Sequence, residues 1–515
     1  MTDHKWLALF LVHTEVTPKT KDNNEQEEEN NDNDFFYKIV MKDLRHAHPG
    51  EEIKIVLVNT VFDKRYIPAR YTIYVNTLKN EWFSLDKDIM QLSFTNGFEM
   101  QNREKLTGLF NELKKKYPSD KVMIFTYGHG SVFGIFTYDP DTIVSHYYRV
   151  PGRSIQTFNE AVLPNLFYDL EHKKTNKEFK KYEHKLRFTE TEKLLTLFDQ
   201  PDSLFQEIIK ANTASPVAEI NPAVASPLNP PGVQPEDSFK IISNEDLAYA
   251  IRNSFKKVDF IVLNNCVMQN VYSQFALQTV TDYLIAPQTG VTNPGLNMRQ
   301  IIKIIKNADD RDTNDSIAKK IIEGFANMEG RSATETDFLD LYVVLALKLG
   351  DSYNAYITIL KDLAEVFTRK INEKEDGPGD DFDEKLDDSL RLCFPFEFNT
   401  NTGNSMIDLY QLLSTRHMLK IEELKSIRDR IDLLDNNNVF KYVGKKTFNQ
   451  NGAYYPTQTT SSGLCIYFPR NYNSINSLIH RFYTAANYSS EFDSTINWRS
   501  FIKTYLQKRG IDSGG

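Results

Sequence analysis

Residues 121–134 read KVMIFTYGHGSVFG, and this stretch indicates which fold the chain adopts. An apolar, β-branched run leads into Tyr127, Gly128, a histidine and Gly130, a pattern typical of a buried strand that ends in a tight turn. The turn presents His129 at the end of the strand. Its imidazole either fills a polar gap at a sheet edge or takes part in chemistry, and the stretch alone does not decide between the two.

The segments around this strand predict an α/β fold. Residues 6–12 and 52–61 are nearly continuous runs of strand-forming residues, and residues 71–78 are a further candidate strand. Residues 102–117 place leucine and phenylalanine at the spacing of an amphipathic helix. Strands that are apolar on both faces and alternate with helices predict a mainly parallel sheet covered by helices on both sides.

A second apolar strand, from Phe260 to Leu263, runs into a polar tip that holds Cys266. Sites in open α/β sheets form at the carboxyl ends of strands, so we expect Cys266 and His129 to meet there. A thiol becomes a better nucleophile beside a base, whereas either residue alone would more often be structural. Gly130 would let the backbone approach a substrate carbonyl, so its N–H could serve an oxyanion hole.

Six segments resemble, in chain order, motifs of the clostripain family of caspase-like cysteine peptidases. They are His129-Gly130, the run from Asn264 to Met268, TDYLIAPQT (281–289), ATETDFLDL (333–341), GLCIYFP (463–469) and Trp498 to Phe501. The resemblance covers most of the chain and implies a caspase-like α/β/α sandwich with endopeptidase activity. It also implies Cys266 as nucleophile, His129 as general base, and the N–H groups of Gly130 and Cys266 as the oxyanion hole.

Some positions depart from the family pattern. The aspartate two residues before the cysteine, which in the family helps bind a basic P1 side chain, is Asn264 here, and a later acidic pair is Gln288-Thr289. Because burial of an unpaired cation is costly, these neutral replacements predict an uncharged P1 residue. We place Asn264, Asn265 and Gln288 among the substrate-binding residues. If the enzyme instead prefers a basic P1 residue, Asp282 is the carboxylate that would have to reach the P1 pocket.

The chain as a whole predicts a peptidase domain over residues 1–300 and a mostly helical C-terminal domain over residues 301–515. Helical patterns cover roughly 298–306, 315–328, 335–372, 405–434 and 497–506, and a strand-like segment at 463–469 is expected to return to the main sheet. Residues 172–238 form an insertion or linker. We expect its proline-rich part, residues 212–238, to be exposed and sensitive to proteases.

Composition argues against several classes of function. A net charge of −9 and a pI of about 5.7 do not suggest a nucleic-acid surface. No CxxC motif and no run of ~18 apolar residues occurs, so we expect a soluble cytoplasmic protein without a membrane partner. No cofactor is implied, although the acidic runs at 309–315 and 375–388 leave calcium open despite lacking EF-hand spacing.

Together these features predict a cysteine endopeptidase with a Cys266–His129 dyad and a protein or peptide substrate. We expect a regulated intracellular protease that cleaves after uncharged P1 residues. The alternative is a non-catalytic caspase-like protein that binds peptides or serves as a scaffold. The presence of both the cysteine and the histidine argues against this alternative, and labelling with a thiol-directed peptide electrophile would separate the two.

Overall fold

The computed structural model describes residues 4–16, 44, 46–47, 49–63, 70–76, 82–84, 103–128, 130–132, 134–135, 242–288, 296–326, 341–373, 382–393, 406–445, 462–468 and 491–508. His129, Thr289 and the predicted insertion at 172–238 lie outside the described residues. The chain divides into two compact units, and the described residues all belong to the one that comprises residues 1–139, 240–446 and 457–515.

The described chain contains both strands and helices. In chain order the strands are β1 (His4–Val16), β2 (Ile53–Asp63), β3 (Arg70–Asn76), β4 (Trp82–Ser84), β5 (Ser119–Tyr127), β6 (Gly130–Ser131), β7 (Gly134–Ile135), β8 (Ile242–Ser243), β9 (Val258–Asn264), β10 (Thr281–Pro287), β11 (Leu341–Lys348), β12 (Met406–Asp408), β13 (Val439–Lys445) and β14 (Cys465–Tyr467). The helices are α1 (Arg103–Lys116), α2 (Asn244–Arg252), α3 (Val271–Leu277), α4 (Met298–Lys306), α5 (Asn314–Ala326), α6 (Tyr353–Asn372), α7 (Phe382–Leu392), α8 (Leu409–Leu413), α9 (Glu422–Asn438), α10 (Glu491–Ile496) and α11 (Trp498–Lys508). Within this part of the chain, no helix is both long and apolar enough to cross a membrane.

Nine of these strands form one sheet, in the order β13-β11-β10-β9-β5-β1-β2-β3-β4. The five central strands, from β10 to β2 in that order, are parallel, and the two strands at each edge run antiparallel to their neighbours. The predicted α/β fold with a mainly parallel sheet is therefore confirmed. The sequence of β1 shows why this fold could be predicted. Every residue from Trp6 to Val12 is apolar, and all of them are buried because helices cover both faces of the sheet.

Helices cover the two faces of this sheet. Alternate residues of β1, such as Phe10 and Val12, pack on one face against a helical layer. That layer contributes Met298, Ile301, Ile302 and Ile305 from α4, and Ile317, Ala318, Ile321 and Ile322 from α5. The intervening residues Leu9 and Leu11 are equally buried, so the opposite face is covered as well. Helix α2 packs against both α1 and α3.

The C-terminal half differs from the sequence prediction in three places, one of which is strand β12 at the start of the predicted helical segment 405–434. Residues 335–372 were expected to be one helix, but β11 occupies residues 341–348 and pairs antiparallel with β10 before α6 begins. Segment 463–469 was expected to join the main sheet, but its strand β14 pairs with β12 in a separate two-stranded sheet. Strands β11 and β13 instead extend the main sheet, and the predicted domain boundary near residue 300 stays a prediction.

A third, smaller sheet joins the two ends of a long chain segment. Strand β7 pairs antiparallel with both β6 and β8, so that Gly130 lies opposite Ile135, and Ile135 lies opposite Ile242. An added Cβ on Gly134 would lie 2.3 Å from the carbonyl oxygen of Ile242, so the two strands are in close contact. Ile135 and Ile242, the described residues on either side of 136–241, are therefore neighbours in this sheet.

A buried carboxyl group lies between α6 and α9. The Tyr356 hydroxyl donates to Oδ1 of Asp435 at 3.0 Å, and Asp435 is 8% exposed. Burial raises the pKa of Asp435 to about 8, with the nearby Asp408 and Asp432 acting in the same direction and the Tyr356 hydrogen bond and Lys441 opposing them. The folded protein therefore favours the protonated form of Asp435.

We expect Asp435→Asn to reduce the pH dependence of stability. The favourable contribution of protonated Asp435 is fully present below about pH 4, and it is lost as the pH rises through about 8. The asparagine still accepts the Tyr356 hydrogen bond but does not ionise. The change in unfolding free energy between pH 5 and pH 9 should shrink by at least about 1.4 kcal/mol, the equivalent of one pKa unit.

Urea unfolding at the two pH values measures this effect. Asp429→Asn is the matched control, because Asp429 lies on the same helix α9 with its side chain 52% exposed. An identical pH dependence in the wild type and in Asp435→Asn would contradict the prediction.

Candidate active site

Cys266 is the most accessible cysteine of the chain. It follows β9 by two residues and is partly exposed, whereas Cys393 and Cys465 are 4% and 1% exposed. The strand ends at Asn264 on the carboxyl edge of the sheet, where sites of α/β proteins form. A substrate can therefore approach the Cys266 thiol, while the other two thiols lie within the fold.

The turn that carries Cys266 is strained and tightly held. Val267, a β-branched residue, has φ of +56°, a left-handed conformation that such residues rarely adopt and that often occurs at functional sites. Asn270 Nδ2 donates to the carbonyl of Val267 at 2.8 Å. Asn270 Oδ1 accepts the N–H groups of Tyr272 and Ser273 at 3.0 and 2.9 Å, which caps α3. The position of the turn that carries Cys266 is thus fixed from β9 to α3.

Gly130 lies directly against the backbone of Cys266. A Cβ added to Gly130 would lie 2.7 Å from the Cys266 carbonyl oxygen, 3.0 Å from the Cys266 nitrogen and 2.8 Å from Asn265 Cβ. No side chain fits in that space, so only glycine permits this approach. The structure brings Gly130 and Cys266 together, as the sequence predicts. The participation of their N–H groups in an oxyanion hole stays a prediction.

His129 itself lies outside the described residues, but both of its chain neighbours are described. Tyr127 of β5 pairs with Asn264 of β9, so His129 and Cys266 each follow that pair of residues by two positions. Gly128 has φ of +148°, a conformation open to glycine and rarely adopted by other residues. Together with the contact of Gly130 on Cys266, this register brings the two chain neighbours of His129 beside the turn that carries Cys266.

Asn265 has a role that the sequence analysis missed. It is fully buried, its Oδ1 accepts the Thr126 hydroxyl, and its Nδ2 donates to the Gly128 carbonyl at 2.9 Å. Both polar ends of the side chain are thus used within the fold, between β9 and the end of β5. A polar residue in the otherwise apolar end of β5, Thr126, was the one sequence feature that could have indicated such a partner.

Asn264 is also buried, with 3% of its surface exposed. Its Oδ1 accepts the backbone N–H of Leu296 at 2.9 Å. Its Nδ2 has no hydrogen-bond partner among the described residues. The side chain therefore offers a donor, and its acceptor oxygen is already occupied.

The other two residues predicted to bind substrate are Gln288 and Asp282, and in the structure both side chains are held by other partners. Gln288 follows β10 at the same sheet edge, but it is fully buried and its Nε2 donates to Asp408 Oδ2 at 3.0 Å and to Cys465 Sγ at 3.2 Å. Asp408 accepts further hydrogen bonds from backbone N–H groups, including that of Ser462, and burial raises its pKa. The amide of Gln288 thus belongs to a buried polar network.

Asp282 lies at the opposite end of the sheet. Its carboxylate is 2.5 Å from Lys257 Nζ and accepts from Asn314 Nδ2 at 3.0 Å. The pairing of β9 with β10 sets Asp282 level with Asp259, seven residues before Cys266, which is about 23 Å along a strand at about 3.3 Å per residue. A carboxylate at the amino end of β10 does not reach a site at the carboxyl end of β9.

The carboxylates of the acidic run at 309–315 each form an ion pair with a cation of the chain, and calcium binding by this run stays a prediction. The ion pairs are Asp309–Arg311, Asp310–Lys5, Asp312–Lys320 and Asp315–Lys348. Among the described residues, no group of three or more His, Cys, Asp or Glu side chains is placed to hold a metal ion.

Comparison with known proteins places this site in a family. A model of the clostripain family matches residues 235–505, more than half of the chain, a range that includes Cys266 and begins after His129 and Gly130. A search of curated proteins finds no match.

Two solved structures are similar over 96% of this chain. One is an inactive zymogen of a C11 protease from Parabacteroides distasonis, with 11% identity, 99% of that chain covered and a TM-score of 0.50. The other is a secreted C11 cysteine protease from Bacteroides thetaiotaomicron, with 12% identity, 100% of that chain covered and a TM-score of 0.50. At these identities they show the fold, and they agree with the caspase-like sandwich. Because the family model matches more than half of the chain, this protein belongs to the clostripain family of caspase-like cysteine peptidases and is a cysteine endopeptidase.

Proposed function

We propose that this endopeptidase works through a dyad of Cys266 and His129. The observation that carries the proposal is the contact of Gly130, the residue after His129, on the backbone of the accessible Cys266. A base next to the thiol raises the fraction of thiolate, which is the reactive form. No metal or cofactor takes part in this proposal.

The proposed reaction has two stages. The Cys266 sulfur attacks the scissile carbonyl carbon and forms an S–C bond, while the thiol proton is held by His129. The C–N bond then breaks, the proton passes to the leaving amine, and a thioester remains on Cys266. Water, deprotonated by His129, hydrolyses the thioester and restores the thiol. During both stages the N–H groups of Gly130 and Cys266 would stabilise the oxyanion.

Covalent labelling tests the proposed nucleophile. A peptide carrying a thiol-directed electrophile should modify one cysteine, and mass spectrometry of the digest should map the adduct to Cys266. Cys393 and Cys465 serve as internal controls because both are buried. An adduct on either of them, with Cys266 unmodified, would overturn the assignment.

We also propose a peptide or protein substrate with an uncharged P1 residue. A basic P1 side chain needs a carboxylate in its pocket, because an unpaired buried cation is unstable. Position 264 offers an amide whose oxygen already accepts the Leu296 N–H, and Gln288 is committed to Asp408. Asp282 is held by Lys257 at the far end of the sheet. None of these three side chains offers an anionic partner next to Cys266.

We expect Asn264→Asp to shift activity toward P1 arginine. One carboxylate oxygen can keep the Leu296 N–H, while the second takes the place of Nδ2, which has no partner among the described residues. The kcat/KM ratio of P1 Arg over P1 Gln substrates should rise about tenfold, which corresponds to one charge-assisted hydrogen bond. Fluorogenic peptides that differ only at P1 measure the ratio.

Asp282→Asn is the matched control for this experiment. It removes a carboxylate that lies far from Cys266, so the P1 preference should stay as in the wild type. A wild-type enzyme that already prefers P1 Arg or Lys would contradict the proposal.

We further propose that the protein is a regulated protease of the cytoplasm. All three cysteines lie among the described residues and no disulfide joins them, which is typical of a reducing compartment. The insertion at 172–238 separates His129 from Cys266 along the chain, where a cut could control activity. One structural relative is a secreted enzyme, so cell fractionation and activity assays before and after limited proteolysis test this proposal. Recovery of the protein from the medium alone would overturn the cytoplasmic location.

A further inference from the structure

We propose that Asn265 is a positioning residue, which holds the turn on either side of His129 against the nucleophile strand. The inference rests on the proposed dyad of Cys266 and His129. It assigns to Asn265 a role in orienting the base, in place of the substrate contact that the sequence suggested.

The first support is the hydrogen bonding of the Asn265 amide. Its oxygen accepts from the Thr126 hydroxyl, and its nitrogen donates to the Gly128 carbonyl at 2.9 Å. Thr126 and Asn265 are both 0% exposed, so the hydrogen bond between them forms away from water, while the one to the Gly128 carbonyl is partly buried. The amide supplies the acceptor and the donor on one short side chain. An aspartate lacks the donor for Gly128, and an alanine lacks both groups.

The second support is where these contacts fall along the chain. Asn265 precedes Cys266 directly, and its Nδ2 bonds to Gly128, the residue before His129. Its Cβ packs against Gly130, the residue after His129, where an added methyl group would approach to 2.8 Å. One buried side chain therefore contacts both chain neighbours of the general base and adjoins the nucleophile. Loss of the amide should loosen the histidine relative to the thiol.

The third support is the conformation of Gly128. Its φ of +148° is open to glycine and brings its carbonyl to the Asn265 amide. Glycine is also the residue with the greatest conformational freedom, so this turn depends on an external contact to keep one geometry. A substrate-binding role fits poorly, because both the oxygen and the nitrogen of the Asn265 amide already form hydrogen bonds within the fold.

Asn265→Ala, Asn265→Asp and Thr126→Val test the inference. For Asn265→Ala we expect kcat to fall about 10- to 100-fold with KM changed less than about threefold, since geometry and not binding is lost. The apparent pKa of Cys266 alkylation by iodoacetamide should rise toward the ordinary thiol value of about 8.5. Thr126→Val should show a smaller loss of the same kind, and Thr126→Ser should retain the wild-type profile because it keeps the hydroxyl.

Gln274→Ala is the matched control. The Gln274 amide is also 0% exposed and also joins a carbonyl and a hydroxyl, those of Gly463 and Tyr353, at 2.6 and 3.1 Å. Both Gln274→Ala and Asn265→Ala are expected to lower the melting temperature, but Gln274→Ala should leave the pH profile of alkylation unchanged. If Asn265→Ala does not fold, the comparison of Thr126→Val with Thr126→Ser tests the inference in its place.

The outcomes separate this inference from the proposed function. If Asn265→Ala raises KM while kcat and the alkylation profile stay as in the wild type, the residue is a substrate ligand and the inference is wrong. It is equally wrong if Asn265→Ala loses activity only in proportion to its loss of folded protein. If instead Cys266→Ala retains activity, the dyad itself has failed.

Discussion

Cys266→Ala is expected to abolish peptide cleavage, with kcat lowered by several orders of magnitude. His129→Ala should cause a loss of similar size, and the double variant should be little worse than either single variant, because a nucleophile and its base act as a unit. Cleavage of a fluorogenic peptide, followed at enzyme concentrations high enough to detect one turnover per hour, measures the residual rate. Residual turnover above a few per cent in Cys266→Ala would refute the assignment of the nucleophile.

The thermal unfolding of these variants is the control for an effect on folding. Cys266 is partly exposed and follows its strand by two residues, so removal of its thiol should leave the melting temperature nearly unchanged. Cys393→Ala should show the reverse pattern. Its buried sulfur donates to the Ser389 carbonyl at 3.3 Å, so we expect a modest loss of stability and full activity.

Gly130→Ala should have the second largest effect, with kcat lowered at least ~100-fold. The new methyl group would meet the carbonyl oxygen and the nitrogen of Cys266 at 2.7 and 3.0 Å, and backbone atoms cannot move aside as a flexible side chain can. Gly130 must therefore separate from the turn that carries Cys266. A shift of about 1 Å in a catalytic geometry can reduce the rate by such a factor.

The matched control is Gly324→Ala on helix α5. There the added methyl group would meet the flexible Gln300 side chain, at 3.2 Å from its Cγ, and alanine is a better helix former than glycine. This variant should retain activity and stability. Wild-type kcat in a folded Gly130→Ala protein would contradict the close contact between Gly130 and Cys266.

The central strands could be predicted because their sequences satisfy one requirement along their whole length. Strands β1, β5 and β9 are buried on both faces, and in a sequence such burial is visible as a continuous run of apolar residues. Strand β11 was misassigned for the same reason. Its sequence, LYVVLALK, is equally apolar throughout, and periodicity alone does not separate a buried strand from a buried helix.

The sequence could predict which strand ends meet at one edge of the sheet, because this depends only on the direction of the strands. The rule that sites form at carboxyl ends of strands predicts His129 beside Cys266, and the contact of Gly130 on Cys266 agrees with it while the dyad itself stays a prediction. The same rule applied to β10 would have excluded Asp282. The roles of Asn265 and Gln288 depend on partners that the sequence does not reveal. Thr126 pairs with Leu263 in the sheet, yet its hydroxyl donates to Asn265, and Gln288 meets Asp408, which lies 120 residues away along the chain.

The pairing of Ile135 with Ile242 has a consequence for how this enzyme can vary in evolution. A segment whose two ends meet at one pair of strands can lengthen or shorten without changing the register of the main sheet. Ile135 and Ile242 therefore mark a place where a change in the length of the sequence between them would leave the pairing of the main strands as it is.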